Sequence, residues 1–314
     1  MKLRNLGTSG LKISLVGIGC NNFGGRIDDA ASTDVLNKAI ELGITLFDTA
    51  DSYGKDCGSE IFLGNTLGPR RKDIVLASKF GLPLDKAGIK SGASRRYIMN
   101  AVEASLTRLK TDYLDLYQLH RPDPQTPIEE TLRALDDLVR QGKVRYIGCS
   151  NLAGWQVATA QWTSKTLNLD SFVSCQDEYS LLVRDIEKDA VPAMQHYGLG
   201  LLPFFPLASG LLTGKYKRNA AAPAGSRFAN VPHLKARFMT EKGLLVVEQL
   251  EAFAKSRGHS MLELAMSWLA CRPQVSSVIA GATSAEQVVQ NAKSVDWVLT
   301  AEDMAEVDKI TKGA

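Results

Sequence analysis

What the 314-residue chain lacks narrows the field first. Its five cysteines (Cys20, Cys57, Cys149, Cys175, Cys271) are scattered, with no Cys-x-x-Cys and no metal-ligand spacing to the four histidines. That argues against a disulfide framework and a metal centre, and points to reduced thiols and a cytoplasmic setting. A net charge of +3 is too small to imply nucleic acid or an anionic membrane, and the short basic runs at 70–72 and 95–96 read as solvated faces. The N-terminus has no apolar signal core, and no apolar run reaches membrane length. The greasiest stretch, 199–212, is interrupted by Pro203, Pro206 and glycines. Two nucleotide motifs are also missing. Gly17-Ile18-Gly19 has no third glycine, and Gly210 to Lys215 is one residue short of a phosphate loop, with Tyr216 where Ser or Thr belongs.

What is present is a beat. With 45% hydrophobic and 23% charged residues, the chain has ample core material for a globular fold. After a weakly alternating hairpin over 1–14, apolar strand candidates recur at 15–19, 44–48, 74–78, 114–119, 144–149, 172–176, 199–204 and 277–280. Helical patterns intervene, for example at 32–42, 94–110, 127–141 and 187–197. Pro127 at a first turn and Gly142 past an end follow the usual cap asymmetry. Eight strands alternating with helices, with no Pro/Ser-rich linker, predict one α/β domain over 1–314, a closed (β/α)8 TIM barrel. The roughly 70 residues between the seventh and eighth strands, with 220–225 rich in Ala, Pro and Gly, read as a long mobile loop. Helical patterns follow at 241–257 and 260–270, and 301–310 reads as a C-terminal helix.

In such a barrel the carboxyl ends of the strands converge on one rim. The second strand ends at Asp48, the third at Lys79, the fourth at His120, the fifth at Ser150-Asn151, the sixth at Gln176 and the seventh at Phe204-Phe205. Tyr53 follows Asp48 by five residues. Singly, each has a plain structural explanation, such as a capping Asp or a surface Tyr. Four dissimilar ionisable groups on consecutive strand ends are harder to explain as packing. Together they make a proton donor. A charged lysine about 4 Å from a phenol favours the phenolate by about 4 kcal/mol at an effective dielectric near 20, roughly three pKa units, part of which desolvation takes back. Asp48 would keep Lys79 charged, and His120 would hydrogen-bond the phenol or a substrate oxygen.

These residues in this order resemble the aldo-keto reductase superfamily over essentially the whole chain. The matching motifs are Phe47-Asp48-Thr49-Ala50-Asp51-Ser52-Tyr53-Gly54, Ala77-Ser78-Lys79, Leu119-His120-Arg121-Pro122, Gly148-Cys149-Ser150-Asn151 and 210–216. The resemblance implies NADPH-dependent reduction of an aldehyde or ketone, with NADH as a second possibility. It makes Tyr53 the general acid, tuned by Lys79 and Asp48, and His120 the group that orients the carbonyl. It also assigns Ser150, Asn151 and Gln176 to the nicotinamide carboxamide and Phe204 to its ring. Pro206, Leu207, Ser209, Gly210 and Lys215 would border the pyrophosphate, Cys20 and Asn21 the cofactor cleft, and Gly281, Thr283, Ser284, Gln287 and Asn291 the adenosine end. Ser284 and Gln287 have capping-box spacing, which predicts a helix N-terminus there. NADPH users in the family often carry Lys or Arg at the position of Ser284. The small-molecule carbonyl substrate is expected against Phe23, Tyr53, His120, Arg121 and Phe228. Two other readings remain: a redox-sensing regulatory subunit that turns over slowly, and an aldolase or isomerase using Lys79 as a Schiff-base amine.

Overall fold

The computed structural model describes residues 1–218, 220–223 and 225–312. A hairpin of β1 (Leu3–Asn5) and β2 (Lys12–Ser14) precedes the repeating part. There follow β3 (Val16–Gly19), α1 (Asp29–Glu41), β4 (Leu46–Asp48), α2 (Gly58–Thr66), β5 (Val75–Phe80), α3 (Arg95–Leu109), β6 (Leu114–Leu119) and α4 (Ile128–Arg140). Next come β7 (Val144–Ser150), α5 (Gly154–Leu167), β8 (Ser174–Glu178), α6 (Ala190–Tyr197) and β9 (Gly200–Phe204). Then α7 (Arg227–Asn230), α8 (Pro232–Phe238), α9 (Glu241–Ser256), α10 (Met261–Ala270), β10 (Val278–Gly281), α11 (Ala285–Lys293) and α12 (Ala301–Thr311) complete the chain.

Strands β3 to β10 form one parallel sheet in the order β10-β3-β4-β5-β6-β7-β8-β9. The remaining seam is drawn together by a parallel bridge between Leu201 and Val275, so the sheet is a nearly closed (β/α)8 barrel, as the spacing predicts. The hairpin plugs one end: Leu6 and Ile13 pack with Leu46, Val75, Ala77, Leu116, Leu202 and Ile279 inside the barrel. The larger apolar cluster lies between the strands and the helices.

Two expectations change in detail. The pattern at 187–197 divides, because Asp189 interrupts it: its carboxylate accepts from Ala190 N (2.7 Å) and Gly154 N (2.9 Å), ending a 3-10 turn over Asp185–Lys188 and starting α6. The segment between β9 and α9 holds two short helices, α7 and α8, that bury Phe228, Leu234 and Phe238. Of the loop expected at 220–225, Ala224 lies outside the described residues. No helix among the described residues is long and apolar enough to cross a membrane.

Candidate active site

The pleat explains how the site is built. Successive side chains on a strand alternate faces, so the residues two positions beyond the barrel's inner apolar layer also point inward. Leu46 leads to Asp48, Ala77 to Lys79, Leu116 to Gln118 and then His120, and Ser174 to Gln176. A polar layer therefore lies directly above the apolar one, at the carboxyl ends of the strands.

Its centre is a fully buried ion pair. Lys79 Nζ donates to Asp48 Oδ2 (2.6 Å), to the Thr49 carbonyl (3.0 Å) and to the Tyr53 hydroxyl (3.1 Å). The other carboxylate oxygen of Asp48 accepts from Gln176 Nε2 (2.9 Å) and Gln118 Nε2 (3.2 Å). Burial disfavours the lysine's charge, but Asp48 and then Tyr53 outweigh it, and the ammonium's pKa lies above its ordinary value. The phenol behaves differently from the sequence-based expectation. Burial pushes the Tyr53 pKa up, Lys79 offsets only part of that, and Asp48 pushes it further. With Asp48 at 2.6 Å, Lys79 presents to the phenol something closer to a dipole than to an isolated charge. Tyr53 therefore keeps its proton in this structure.

The loop that carries Tyr53 is fixed backbone against backbone. Gly54 adopts φ +75°, and a Cβ there would lie 2.7 Å from the Phe23 carbonyl oxygen. Gly24 adopts φ +63°, and a Cβ there would lie 2.2 Å from the carbonyl carbon of Gly58. Gly24→Ala should cost about 2 kcal/mol or more, from the left-handed backbone and the overlap together, and should lower turnover by displacing Tyr53. A thermal melt and a steady-state assay check both. Asp51 of the same motif faces away from the cavity. It accepts from the Tyr97 hydroxyl (3.2 Å), and burial, aided by Glu60, lifts its pKa to about 7.

His120 packs edge-on against Tyr53, with ring centroids 5.7 Å apart, and its Nδ1 is buried without a partner. Burial, then Lys79 and Arg121, hold its pKa down to about 3. The ring is thus neutral throughout the physiological range. Turnover should show no histidine titration between pH 5 and 8, whereas an inflection near 6.5 would contradict this placement. For stability the sign is as follows. Below about pH 6.5 the unfolded chain takes up a proton that the folded one refuses, so the fold loses stability as pH falls from there toward 3.

A cavity of about 670 Å³ opens over this cluster, within the roughly 300–1,000 Å³ of small-molecule and cofactor sites. Tyr53 and His120 line it, as do Arg121, Ser150, Asn151, Gln176 and Phe204. Asn151, at φ +61°, donates through Nδ2 to Ser150 Oγ (2.8 Å) and the His120 carbonyl (3.1 Å), and Ser150 donates to the Gln176 carbonyl (2.7 Å). The cavity continues past Pro206, Leu207, Ser209, Gly210 and Lys215 to Gly281, Thr283, Gln287 and Asn291, with Asn21 beside Gly281. Along this stretch Phe205, Ala208, Ser209 and Gly210 all have positive φ, while Ser209 Oγ and Arg227 Nε are buried and unpartnered. Strain and orphaned donors at one lip are what a polar ligand's site shows before it is filled. At the far end Ser284 caps α11 by accepting from Gln287 N (3.4 Å). The Gln287 side chain reaches back to Thr283 N (2.9 Å), one residue earlier than a capping box requires.

Several expected residues lie elsewhere. Cys20, Phe23 and Phe228 are fully or almost fully buried behind the wall: Phe23 packs on Phe62, Phe228 on Tyr216, and Cys20 Sγ faces the Ile18 carbonyl. Ser284 holds the helix start without lining the cavity. In place of Phe228 its neighbour Arg227 faces in. Gln118 was not expected, although its alternation with Leu116 and His120 gives it away. Asn22, whose amide donates to the Ala282 carbonyl (3.0 Å) and ties the first strand's loop to the last strand's end, leaves no comparable signal. No group of His, Cys, Asp and Glu among the described residues could hold a metal.

Comparison with known proteins fits this geometry. A family profile described as the aldo/keto reductase family matches residues 15–312. A protein of Arabidopsis thaliana named a probable voltage-gated potassium channel subunit beta is 38% identical over 95% of this chain and 92% of its own length. A Schizosaccharomyces pombe protein named a putative voltage-gated potassium channel subunit beta is 37% identical over 98% of this chain and 92% of its own. An uncharacterized oxidoreductase of Bacillus subtilis, YrpG, is 35% identical over 100% of this chain and 97% of its own.

Proposed function

The chain belongs to the aldo/keto reductase family, and from that premise we propose that it reduces an aldehyde or ketone to an alcohol with NADPH, Tyr53 acting as the general acid. The observation that carries this is the contact of the Tyr53 hydroxyl with Lys79 Nζ at 3.1 Å, at the floor of the cavity. A bound dihydronicotinamide supplies the hydride that reduces the carbonyl carbon. As negative charge grows on the carbonyl oxygen, Tyr53 passes its proton to it, and the ammonium of Lys79 steadies the phenolate left behind. Neutral His120, facing Tyr53, donates a hydrogen bond that orients the same oxygen.

The residues present suit the dinucleotide. Asn151 and Gln176 keep side-chain oxygens available for an amide, Phe204 offers an aromatic face, and Ser209 with Lys215 and Arg227 offers donors to a pyrophosphate. The start of α11 offers its N-terminus to a ribose phosphate. Because no Lys or Arg stands at Ser284, NADPH should be preferred over NADH by only about tenfold in kcat/KM. A panel of aldehydes and ketones assayed with both cofactors tests this: reduction of at least some members, faster with NADPH, is expected. Failure across the panel with either cofactor would remove the proposal. Five unpaired cysteines, two of them with sulfurs 3.4 Å apart and unbridged, suit a reducing, cytoplasmic setting.

A second reading has its own support. Two of the relatives are named as potassium channel subunits, and Trp155 and Trp162, seven residues apart on one face of α5, are 69% and 62% exposed, as a partner-binding face would be. In that reading the cofactor is bound but turned over slowly. A Schiff-base role for Lys79 has the least support, since a nucleophilic amine must be neutral and Asp48 holds this one charged.

A further inference from the structure

We infer that the carbonyl compound taken by this site is an anion, bearing a carboxylate or phosphate that Arg26 and Arg121 receive; this rests on the reductase reading above and names its substrate class. The wall of the cavity holds a single carboxylate, Asp48, and Lys79 neutralises it. Against it stand Arg26, Arg121, Lys215 and Arg227, none of which has a carboxylate partner among the described residues. Elsewhere among the described residues most arginines are paired: Arg71, Arg95, Arg108, Arg140, Arg184 and Arg257 each meet a carboxylate at 2.5–2.8 Å, while Arg4 and Arg70 donate to carbonyl and amide oxygens instead. Around this cavity four cations therefore face one carboxylate that is already paired.

The four divide by position. Lys215 and Arg227 lie along the Ser209–Gly210 lip and are absorbed by the pyrophosphate of the proposed cofactor. Arg26 and Arg121 are left over: Arg121 stands on the acid's side of the cavity, and Arg26 stands where that side meets Arg227. Arg121 directly follows His120. Arg26 follows Gly24 and Gly25, which press on the Tyr53 loop, with Lys55 N donating to the Gly24 carbonyl at 2.9 Å. Their charges are felt inside the site: Arg121 adds to burial in depressing His120, and Arg26 adds to burial in depressing Arg227. Two guanidinium forks on the lips beside a proton donor suit a substrate whose carbonyl reaches Tyr53 while its anionic end stays at the mouth.

The test uses matched pairs. The carboxylate arm compares 4-carboxybenzaldehyde with methyl 4-formylbenzoate, and the phosphate arm compares glyceraldehyde 3-phosphate with glyceraldehyde. For each compound kcat/KM is measured with NADPH, and Kd by calorimetry in saturating NADP+. The anion should be favoured about tenfold in at least one arm, and the arm that responds names the group. Arg26→Gln and Arg121→Gln should each reduce that preference severalfold, and 0.5 M salt should erode it. If anion and neutral partner bind alike in both arms, the inference is overturned, whatever the turnover. If the anion binds more tightly, the two arginine variants lose that preference, and no compound is reduced, the anion site stands and the reductase reading falls.

Discussion

Tyr53→Phe is expected to lower kcat for aldehyde reduction by about 10²–10⁴-fold while changing the Kd for NADP(H) less than about twofold. The substitution removes one oxygen, the one that Lys79 Nζ meets at 3.1 Å, and leaves the ring that packs against His120. Nothing that lines the dinucleotide part of the cavity is touched. The loss should fall on kcat more than on KM, because the proton is needed as the carbonyl oxygen charges and not before. Fluorescence titration with NADPH alongside a steady-state assay separates the two effects. Equal turnover by wild type and variant would remove Tyr53 from the role of acid.

Lys79→Met should have the largest effect on stability. Lys79 and Asp48 are both buried, and their ion pair is bounded by Gln118, Gln176, the Thr49 carbonyl and the Tyr53 hydroxyl. Removing the ammonium leaves a carboxylate in the barrel's interior with only two amide donors. Breaking such a pair from one side costs about 3–5 kcal/mol, and the melting temperature should drop by several degrees. The pair Asp48→Asn with Lys79→Met should recover part of the loss, since replacing both charges at once strands neither. Neither variant should reduce an aldehyde at an appreciable rate. An unchanged melting temperature in Lys79→Met would mean that the ion pair is not buried as the structure has it.

How much of this could be read from the sequence follows from which forces act locally. The strand–helix beat depends on period and caps within a dozen residues, so the barrel and most boundaries were legible. Ser94, Ser260 and Thr300 all cap the helices beside them. The polar layer was legible as strand ends, and alternation would have added Gln118 to it. What was not legible depends on contacts between distant segments. The grip of Gly24 on Gly58 is a backbone approach that no local pattern announces. Phe23 and Phe228 sit beside residues that face the cavity, and only packing decides which neighbour turns in. The direction of the Tyr53 shift was misjudged for the same reason. Pairwise charge reasoning gives Lys79 its full effect on the phenol and desolvation only a part, whereas in the structure burial outweighs Lys79 and Asp48 pushes the same way as burial.

The central claim is that the phenol over Lys79 protonates a carbonyl as hydride reaches it. Stopped-flow mixing of the protein–NADPH complex with 4-carboxybenzaldehyde and with methyl 4-formylbenzoate, following absorbance at the dihydronicotinamide band, tests it most directly. One equivalent of NADPH oxidised per site with at least one of the aldehydes, in a phase that Tyr53→Phe abolishes, is the result expected. NADPH that binds and stays reduced with both, or a phase identical in wild type and variant, would contradict it.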